Sequence, residues 1–336
     1  MRRRIPVTAL QATIERANAT AAIATVSGWM WSVACAWARA IGIIRILQSG
    51  DDDYNNDMVT LPGAAGAPLR AVPQALAALE HVLAGSPGML VAFSGGVDSA
   101  VLTAVARRVL GDRIAAFTAD SPSMPRRELR RAIAFAGGIG VAHVVRPTSE
   151  MALDAYREND RNRCYWCKHT LFDVCERVAR ELGFTEVAYG YTADDVGEHR
   201  PGHRAATEFG VRSPLLEAGL RKAEIRAVAQ ALQLEVWDKP AAPCLSSRIP
   251  YGSDVSVEKL GRIEAVEDLL DEMGFRLFRA RFDGREMRIE VGVAEIGRAA
   301  SAEVRGRILA LAQRLGVPLV TLDLEGFRSG KLNDAS

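Results

Sequence analysis

The stretch MLVAFSGGVDSAV, residues 89–101, decides the fold of this chain. Its apolar run 89–93 is typical of a buried strand, and residues 99–110 follow with the pattern of a helix. A strand that ends in two glycines and leads directly into a helix places backbone N–H groups at the carboxyl edge of a parallel sheet, together with the positive end of the helix. The stretch therefore predicts an anion site at this turn.

The side chains of the turn indicate which anion. Gly95 and Gly96 let a ligand approach the backbone closely, while Ser94 and Ser99 offer hydroxyl groups to phosphate oxygens. The sequence matches neither the Gly-Lys-Ser/Thr of a Walker A loop nor the G-x-G-x-x-G dinucleotide fingerprint. Phosphate is the expected ligand, and the alternative is a tight turn whose glycines serve packing only.

The rest of the chain follows two different patterns. Up to residue 250, strands alternate with helices, which predicts right-handed crossovers and a doubly wound parallel sheet covered on both faces. The predicted strands are 89–93, 113–119, 142–145 and 186–191, and the predicted helices are 99–110, 126–136, 168–182 and 221–232. After residue 251 the order changes to αββαβ, which predicts a smaller C-terminal α+β domain.

Composition restricts the function classes. A chain of 336 residues with 49% hydrophobic and 25% charged residues is long enough for two domains with their own cores. The formal net charge of +1 supplies no broad basic field, so nucleic acid is not an expected partner. The odd number of five cysteines does not suit a disulfide framework, which favours a reducing, cytoplasmic location.

The first residues differ from the remainder. Residues 17–38 are uncharged and about as long as a bilayer requires, so they form either a membrane anchor or uncleaved signal, or a poorly ordered extension read from an upstream start codon. Acidic and Gly/Pro-rich linker follows at 51–57 and 61–68. We expect an extension and linker at 1–72, an ATP-binding domain at 73–250 and a substrate or oligomerisation domain at 251–336.

Three cysteines form a second group. Cys164 and Cys167 have C-x-x-C spacing just before a predicted helix, and Cys244 lies far downstream in PCLSSR. Three thiolates would fit a [4Fe–4S] cluster whose remaining iron is open and can hold an additional sulfide. Other interpretations are a redox dithiol, a zinc site completed by His169 or His199, and simple packing.

The other two cysteines do not join this group. Cys175 lies on an apolar helical stripe, so we expect a core residue there. Cys35 lies in the extension and indicates nothing.

The sequence SGGVDS, residues 94–99, resembles the PP-loop of the ATP pyrophosphatase superfamily, whose fold is adenine nucleotide alpha hydrolase-like. In that superfamily a substrate oxygen is adenylated, pyrophosphate leaves, and a nitrogen or sulfur nucleophile then displaces AMP. The resemblance implies that Asp98 assists Mg²⁺ and that Asp120 contacts the adenosine portion. It implies ATP-phosphate contacts from the loop, namely Ser94, Gly95, Gly96, Val97, Asp98 and Ser99.

Three further segments, at 189–215, 244–252 and 322–334, resemble the LarE family of ATP-dependent sulfurtransferases, so that the resemblance covers about residues 73–334. LarE proteins adenylate a carboxylate of pyridinium-3,5-biscarboxylic acid mononucleotide and convert it to a thiocarboxylate, a step towards the nickel-pincer cofactor of lactate racemase. Some members sacrifice the sulfur of one cysteine, whereas members with three cysteines are thought to use an iron–sulfur cluster. The resemblance implies the cluster-dependent version here, at Cys164, Cys167 and Cys244.

The resemblance also implies a substrate site. Arg279 and Arg281 alternate on one predicted strand and therefore share a face. Guanidinium groups suit a substrate that carries a phosphate and two carboxylates. Family positions for substrate binding match Arg248, Glu267, Arg279, Arg281 and Arg328, while Asp194 and Asp195 are candidates to hold Mg²⁺ or orient the substrate. We expect this site at the junction of the two domains of a homo-oligomer, with transient contacts to other cofactor-biosynthesis proteins.

Other functions remain open on the sequence. A tRNA thiolase of the same superfamily would also join a PP-loop to three cysteines, although such proteins chiefly recognise RNA by basic surfaces. An ammonia-using synthetase of the NAD or GMP type would leave the three cysteines unexplained. A non-catalytic iron–sulfur sensor would bind ATP without turnover, so the reaction products distinguish all of these.

Overall fold

The computed structural model describes residues 69–197 and 201–328. Its first part contains a four-stranded parallel sheet in the order β3-β2-β1-β4. The strands are β1 (Met89–Ala92), β2 (Ile114–Asp120), β3 (Ala142–Pro147) and β4 (Glu186–Tyr189). The helices are α1 (Val72–Ala84), α2 (Val97–Leu110), α3 (Arg126–Gly138), α4 (Asp154–Arg157), α5 (Arg163–Glu181), α6 (Pro201–Glu208), α7 (Pro214–Glu217) and α8 (Lys222–Ala231).

The central strand β1 shows why this sheet is covered on both faces. All four of its residues are buried, and Val91 pairs in register with Ala116 of β2 and Ala188 of β4. Met89 and Val91 enter one core with α1, α2 and α8, whereas Leu90 and Ala92 enter a second core with α5 and α6. Alternate side chains of a strand point to opposite faces, so the predicted doubly wound fold is confirmed.

The C-terminal part contains a smaller mixed sheet. It comprises α9 (Val257–Glu272), β5 (Phe278–Phe282), β6 (Glu286–Val291), α10 (Ile296–Ala299), α11 (Ala302–Arg314) and β7 (Leu319–Leu322). Strand β6 lies in the middle, antiparallel to β5 and parallel to β7. This confirms a smaller C-terminal α+β region. Tyr156, Leu245 and Ile249 also pack into its core, so the exact domain boundary remains a prediction.

One helix differs from its prediction in a way that affects the cysteines. Helix α5 begins at Arg163 rather than at residue 168, so Cys164 and Cys167 lie in its first turns and not before it. No glycine or proline interrupts residues 163–168, and the helix extends back to a turn in which the Asn162 amide donates to Asp160 at 2.7 Å.

Of the predicted extension and linker at 1–72, residues 1–68, with Cys35, lie outside the described residues. Within 69–197 and 201–328, no helix is long and apolar enough to cross a membrane.

Candidate functional site

The phosphate loop, residues 94–99, follows β1 and runs into the first turn of α2. Gly95 has a φ of +71°, and a Cβ atom there would lie 3.1 Å from the Cβ atom of Ala132 on α3. Both the left-handed backbone and the close approach of α3 require glycine. Helix α2 then begins without a side-chain cap at Gly96, which leaves its first amides directed to the loop.

The two serines of the loop contact each other. Their hydroxyl oxygens lie 3.1 Å apart, and Ser99 Oγ donates to the carbonyl of Gly96 at 3.1 Å. Asp98 lies in the first turn of α2 and is partly exposed. The structure therefore groups the predicted ATP-phosphate residues 94–99 in one turn at the carboxyl edge of the sheet.

Two residues that the sequence analysis missed complete this turn. A Cβ atom on Gly190, directly after β4, would lie 3.0 Å from the backbone nitrogen of Ser99. Lys239 extends its Nζ atom to the carbonyl of Gly95 at 2.8 Å and to Glu128 at 2.5 Å. The sequence signals were a glycine near the end of the predicted strand 186–191 and a Lys-Pro dipeptide five residues before Cys244.

The predicted acidic residues lie along the same edge of the sheet, and each forms a hydrogen bond or an ion pair within the protein. Asp120, at the end of β2, forms an ion pair with Arg126. Asp194 accepts a hydrogen bond from the amide of Lys222 at 2.5 Å. The buried carboxylate of Asp195 accepts from the amide and hydroxyl of Thr192 at 3.0 and 2.9 Å and pairs with Lys222 Nζ at 2.8 Å. In this conformation Asp194 and Asp195 hold the turn after β4 against α8.

The three predicted cysteines lie in one neighbourhood. Cys164 is exposed, whereas Cys167 and Cys244 are half-buried. Burial, and then the neighbouring Cys244, raise the pKa of the Cys167 thiol to about 12, so this thiol is protonated at neutral pH. Burial lowers the pKa of the Arg163 guanidinium, but the neighbouring Cys244 and Cys164 raise it above its ordinary value.

This arrangement can be tested against an iron–sulfur cluster. The described residues contain no group of three His, Cys, Asp or Glu side chains already placed to hold one metal ion. The three thiols nevertheless supply the donor set that such a cluster uses, and they need side-chain movement and deprotonation to reach a common centre. Their chemistry therefore fits the group.

Three other cysteine and histidine predictions concern Cys175, His169 and His199. Cys175, on α5, is fully buried in the core that this helix forms with the sheet, which confirms the prediction of a core residue. His169 packs against the rings of Tyr165, Trp166 and Phe209. His199 lies outside the described residues.

The loop of Cys244 is tied to both parts of the chain. The Leu245 amide donates to the carbonyl of Ser123, just beyond β2, at 2.7 Å. Arg248 Nη1 donates to the carbonyl of Cys244 at 3.0 Å. Its Nε and Nη2 atoms donate to the two carboxylate oxygens of Glu267 at 2.9 and 3.1 Å.

The Arg248–Glu267 pair is buried, with side-chain exposures of 1% and 0%. Arg127 donates to the same carboxylate at 2.8 Å. The predicted substrate residues Arg248 and Glu267 thus hold the cysteine loop against α9.

Arg279 and Arg281 lie on the same face of β5, as predicted. Arg281 is buried and pairs with Glu290 on β6 at 2.5 Å. Arg279 donates to the carbonyl of Ala241 at 2.8 Å and lies over the ring of Phe327 at 4.8 Å. Burial, and then the neighbouring cation Arg248, lower the pKa of Arg279 to about 10.

Other charged residues of this face were missed by sequence analysis. Glu290 stands opposite Arg279 in the register, and Arg288 stands opposite Arg281. Arg328 is exposed and follows Phe327, whose ring contacts Arg279. The four predicted arginines therefore form one cluster, called the arginine surface below, in which Arg279 and Arg328 are accessible while Arg248 and Arg281 are buried in ion pairs. Cross-strand pairing, which the single sequence does not reveal, adds Arg288 and Glu290.

Comparisons with known proteins identify similar chains. Residues 77–233 match the asparagine synthase family model. The chain is 36% identical over 246 residues to the pyridinium-3,5-bisthiocarboxylic acid mononucleotide synthase of Lactiplantibacillus plantarum, covering 73% of this chain and 88% of that relative.

Two other relatives are similar to this chain. An uncharacterized protein of Synechocystis is 45% identical over 244 residues, covering 73% of this chain and 91% of the relative. An uncharacterized protein of Methanocaldococcus jannaschii is 28% identical over 182 residues, covering 54% of this chain and 69% of that relative.

Proposed function

This chain belongs to the LarE family of ATP-dependent sulfurtransferases, within the PP-loop ATP pyrophosphatase superfamily, and we propose that it converts a carboxylate of pyridinium-3,5-biscarboxylic acid mononucleotide into a thiocarboxylate. One observation carries the proposal. Residues 239–248 run from the phosphate loop, which Lys239 contacts, to the arginine surface, and Cys244 lies between them. A phosphate site, a thiol and an anion-binding surface are thereby joined by ten residues.

The first step is adenylation. A carboxylate oxygen of the substrate attacks the α-phosphorus of ATP, the bond to the β,γ-pyrophosphate breaks, and an acyl adenylate forms. The amides of residues 94–99 and the α2 N-terminus stabilise the phosphate charge, and Asp98 is the proposed Mg²⁺ contact. The substrate phosphate and carboxylates meet Arg279, Arg281 and Arg328.

The second step transfers sulfur. A sulfur nucleophile attacks the acyl carbon, AMP leaves, and a thiocarboxylate remains. We propose that Cys164, Cys167 and Cys244 hold a [4Fe–4S] cluster, which when bound would supply a sulfide at its open iron. Arg248 donates to the carbonyl of Cys244, which holds the backbone from which this thiol extends.

The cellular setting is proposed with the reaction. The product is a precursor of the nickel-pincer cofactor, and the enzyme is expected to act in the cytoplasm as a homo-oligomer with transient contacts to other proteins of cofactor biosynthesis. The substrate is a small nucleotide, and no nucleic acid is required.

The experiment uses anoxically purified protein with ATP, Mg²⁺ and the pyridinium biscarboxylate mononucleotide, followed by chromatographic separation of AMP, ADP and pyridinium products. We expect AMP only when that substrate is present, together with a thiocarboxylate. A folded, ATP-binding protein that produces no substrate-dependent AMP would contradict the proposal. Unmodified tRNA is the substrate to try next, because a tRNA thiolase would form AMP with it.

A further inference from the structure

Asn159 is a buried residue with an uncommon backbone conformation. Its φ is +56°, in the left-handed region, and its exposure is 0%. Apart from glycine, asparagine is one of the residue types that adopts this conformation most readily. A buried polar side chain also needs hydrogen-bond partners, so the partners of Asn159 indicate what this conformation serves.

The Asn159 side chain holds the loop that follows Cys244. Its Nδ2 atom donates to the carbonyls of Pro250 and Ser253 at 2.7 and 2.8 Å. The backbone carbonyl of Asn159 accepts a hydrogen bond from the amide of Gly252 at 3.2 Å. One residue therefore fixes this loop through both its backbone and its side chain.

Arg163 connects Asn159 to the Cys244 loop at a second point. It is the first residue of α5, directly before Cys164, and it is 4% exposed. Its Nη1 atom donates to the side-chain oxygen of Asn159 and, at 2.8 Å, to the carbonyl of Ser246. Because Ser246 lies two residues after Cys244, one guanidinium group spans the two cysteine segments.

The charge of Arg163 gives a second reason to associate it with the cysteines. The guanidinium contacts the two oxygens just named and the ring of Tyr251, whose centroid lies 5.6 Å away. None of these three groups carries a negative charge, whereas buried charges in proteins are normally paired. Three thiolates gathered around a common centre would supply negative charge beside this cation.

We propose that Asn159 and Arg163 form a clasp that positions Cys244 against Cys164 and Cys167, so that the three thiols can bind one metal centre. Both are positioning residues, because they hold the backbone of the Cys244 loop and not a reacting atom. The inference rests on the proposed sharing of one cluster by three cysteines and adds the residues that bring them together. The competing explanation is a purely structural anchor, which would change stability but not the number of thiolates that reach one ion.

The test uses Cd²⁺ as the probe, added to the reduced, metal-free full chain under anoxic conditions. Cadmium prefers thiolate ligands, and the thiolate-to-cadmium charge-transfer absorbance at saturation counts the thiolates on the ion. The wild type should show one thiolate more than Cys244→Ala. Asn159→Gly keeps a residue suited to the left-handed backbone and removes only the side chain. It should show the amplitude of Cys244→Ala, with a Cd²⁺ affinity lower than that of the wild type by about tenfold or more.

Gln233→Gly is the matched control for Asn159→Gly. Gln233 has the same φ of +56°, but it is exposed and lies just after α8. This variant should retain the wild-type amplitude and affinity for Cd²⁺. Far-UV circular dichroism of both variants shows whether the fold is retained.

A wild-type amplitude in Asn159→Gly would overturn the inference. If that variant does not fold, Arg163→Met decides, because it removes the group that joins Asn159 to Ser246 and the partners it leaves behind are uncharged. Arg163→Met should also lose one thiolate, and a retained wild-type amplitude contradicts the clasp. A wild-type chain whose amplitude equals that of Cys244→Ala overturns it as well. These outcomes need neither ATP nor the pyridinium substrate, so a failure of the proposed sulfur transfer is seen separately, in the product assay.

Discussion

The phosphate loop and the arginine surface are the two proposed anion sites, and they are built from different groups. The loop uses backbone amides, two glycines and a helix end, all encoded within eight residues of sequence. The arginine surface uses long charged side chains from α9, β5, β6 and the Cys244 loop, held by buried carboxylates such as Glu267 and Glu290. A local motif builds the first site, and long-range charge pairing builds the second.

This difference separates the expected consequences of mutation. Backbone amides remain when a side chain is changed, so the loop is sensitive chiefly to substitutions that displace the backbone. A buried guanidinium–carboxylate pair is sensitive to the loss of either partner, because the other is then left as an uncompensated charge. Cys244 lies in the segment 239–248, which connects the two sites. A substitution of Cys244 can therefore separate the adenylation step from the sulfur-transfer step.

The largest effect is expected from Cys244→Ala, which should abolish thiocarboxylate formation while AMP formation continues. The alanine removes the thiol but leaves the Cys244 carbonyl that Arg248 holds, so the loop remains in place. The product assay gives both quantities in one chromatogram. Thiocarboxylate formed at the wild-type rate would show that the cysteine assignment is wrong.

Asp98→Ala is the counterpart to Cys244→Ala on the loop side. It should stop AMP formation itself, because the phosphate chemistry precedes sulfur transfer. AMP formation that persists in this variant would count against the Mg²⁺ role of Asp98.

The second effect concerns the stability of the arginine surface. Arg248→Met removes the bidentate partner of the fully buried Glu267, and should lower the free energy of unfolding by about 3 kcal/mol. This is the lower end of the range for a broken buried pair, because Arg127 still donates to Glu267. Urea unfolding provides the measurement. Arg177→Met is the control, since the Arg177–Asp173 pair has exposures of 58% and 52% and should contribute less than about 1 kcal/mol.

A second variant sharpens the Arg248 result. In the double variant Arg248→Met with Glu267→Gln the buried charge is gone, so part of the lost stability should return. If the double variant is less stable than Arg248→Met alone, the uncompensated charge is not the cause of the loss.

The third effect tests the backbone nature of the loop. In Gly190→Ala the new methyl group would lie 3.0 Å from the Ser99 nitrogen, so the first turn of α2 must shift. We expect a loss of about 1–3 kcal/mol in stability together with weaker ATP binding. Gly137→Ala is the control: a Cβ atom there has no contact within 4 Å in the described chain, and alanine suits helix α3 better by about 0.5–1 kcal/mol. Unchanged ATP binding in Gly190→Ala would show that the loop tolerates this displacement.

The same contrast explains how far the sequence could predict the structure. Residues 89–101 predicted a strand, a turn and a helix, because an apolar run, two adjacent glycines and a helical pattern are features of neighbouring residues. Gly190 and Lys239 reach the loop from distant segments, and their types alone give no indication of it. Arg248 and Glu267 matched family positions, but only the folded chain shows that they bind each other, because this pairing depends on how α9 packs against the Cys244 loop.

The smallest effect is expected at an ion pair on the phosphate-binding side. Burial alone would raise the pKa of Glu224. Hydrogen bonds from the side chain of Arg70 and from the amides of Arg221 and Arg70 outweigh burial and lower the pKa to about 2. The folded pKa thus lies below the ordinary value of 4.5. The stabilisation is therefore complete above pH 4.5 and is lost as the pH falls towards 2.

Glu224→Gln should lower the free energy of unfolding by about 1 kcal/mol near neutral pH, and the difference from wild type should shrink as the solution is acidified. This is less than the roughly 3 kcal/mol that corresponds to the pKa shift, because the glutamine oxygen still accepts hydrogen bonds from the amides of Arg70 and Arg221. Urea unfolding at a series of pH values measures this. Glu258→Gln, at a side chain that is 73% exposed, is the control and should change stability by less than about 0.5 kcal/mol. A loss at Glu224 as large as that of Arg248→Met would remove the contrast between the two regions, since it would mean that the phosphate-binding half also depends on a central charge pair.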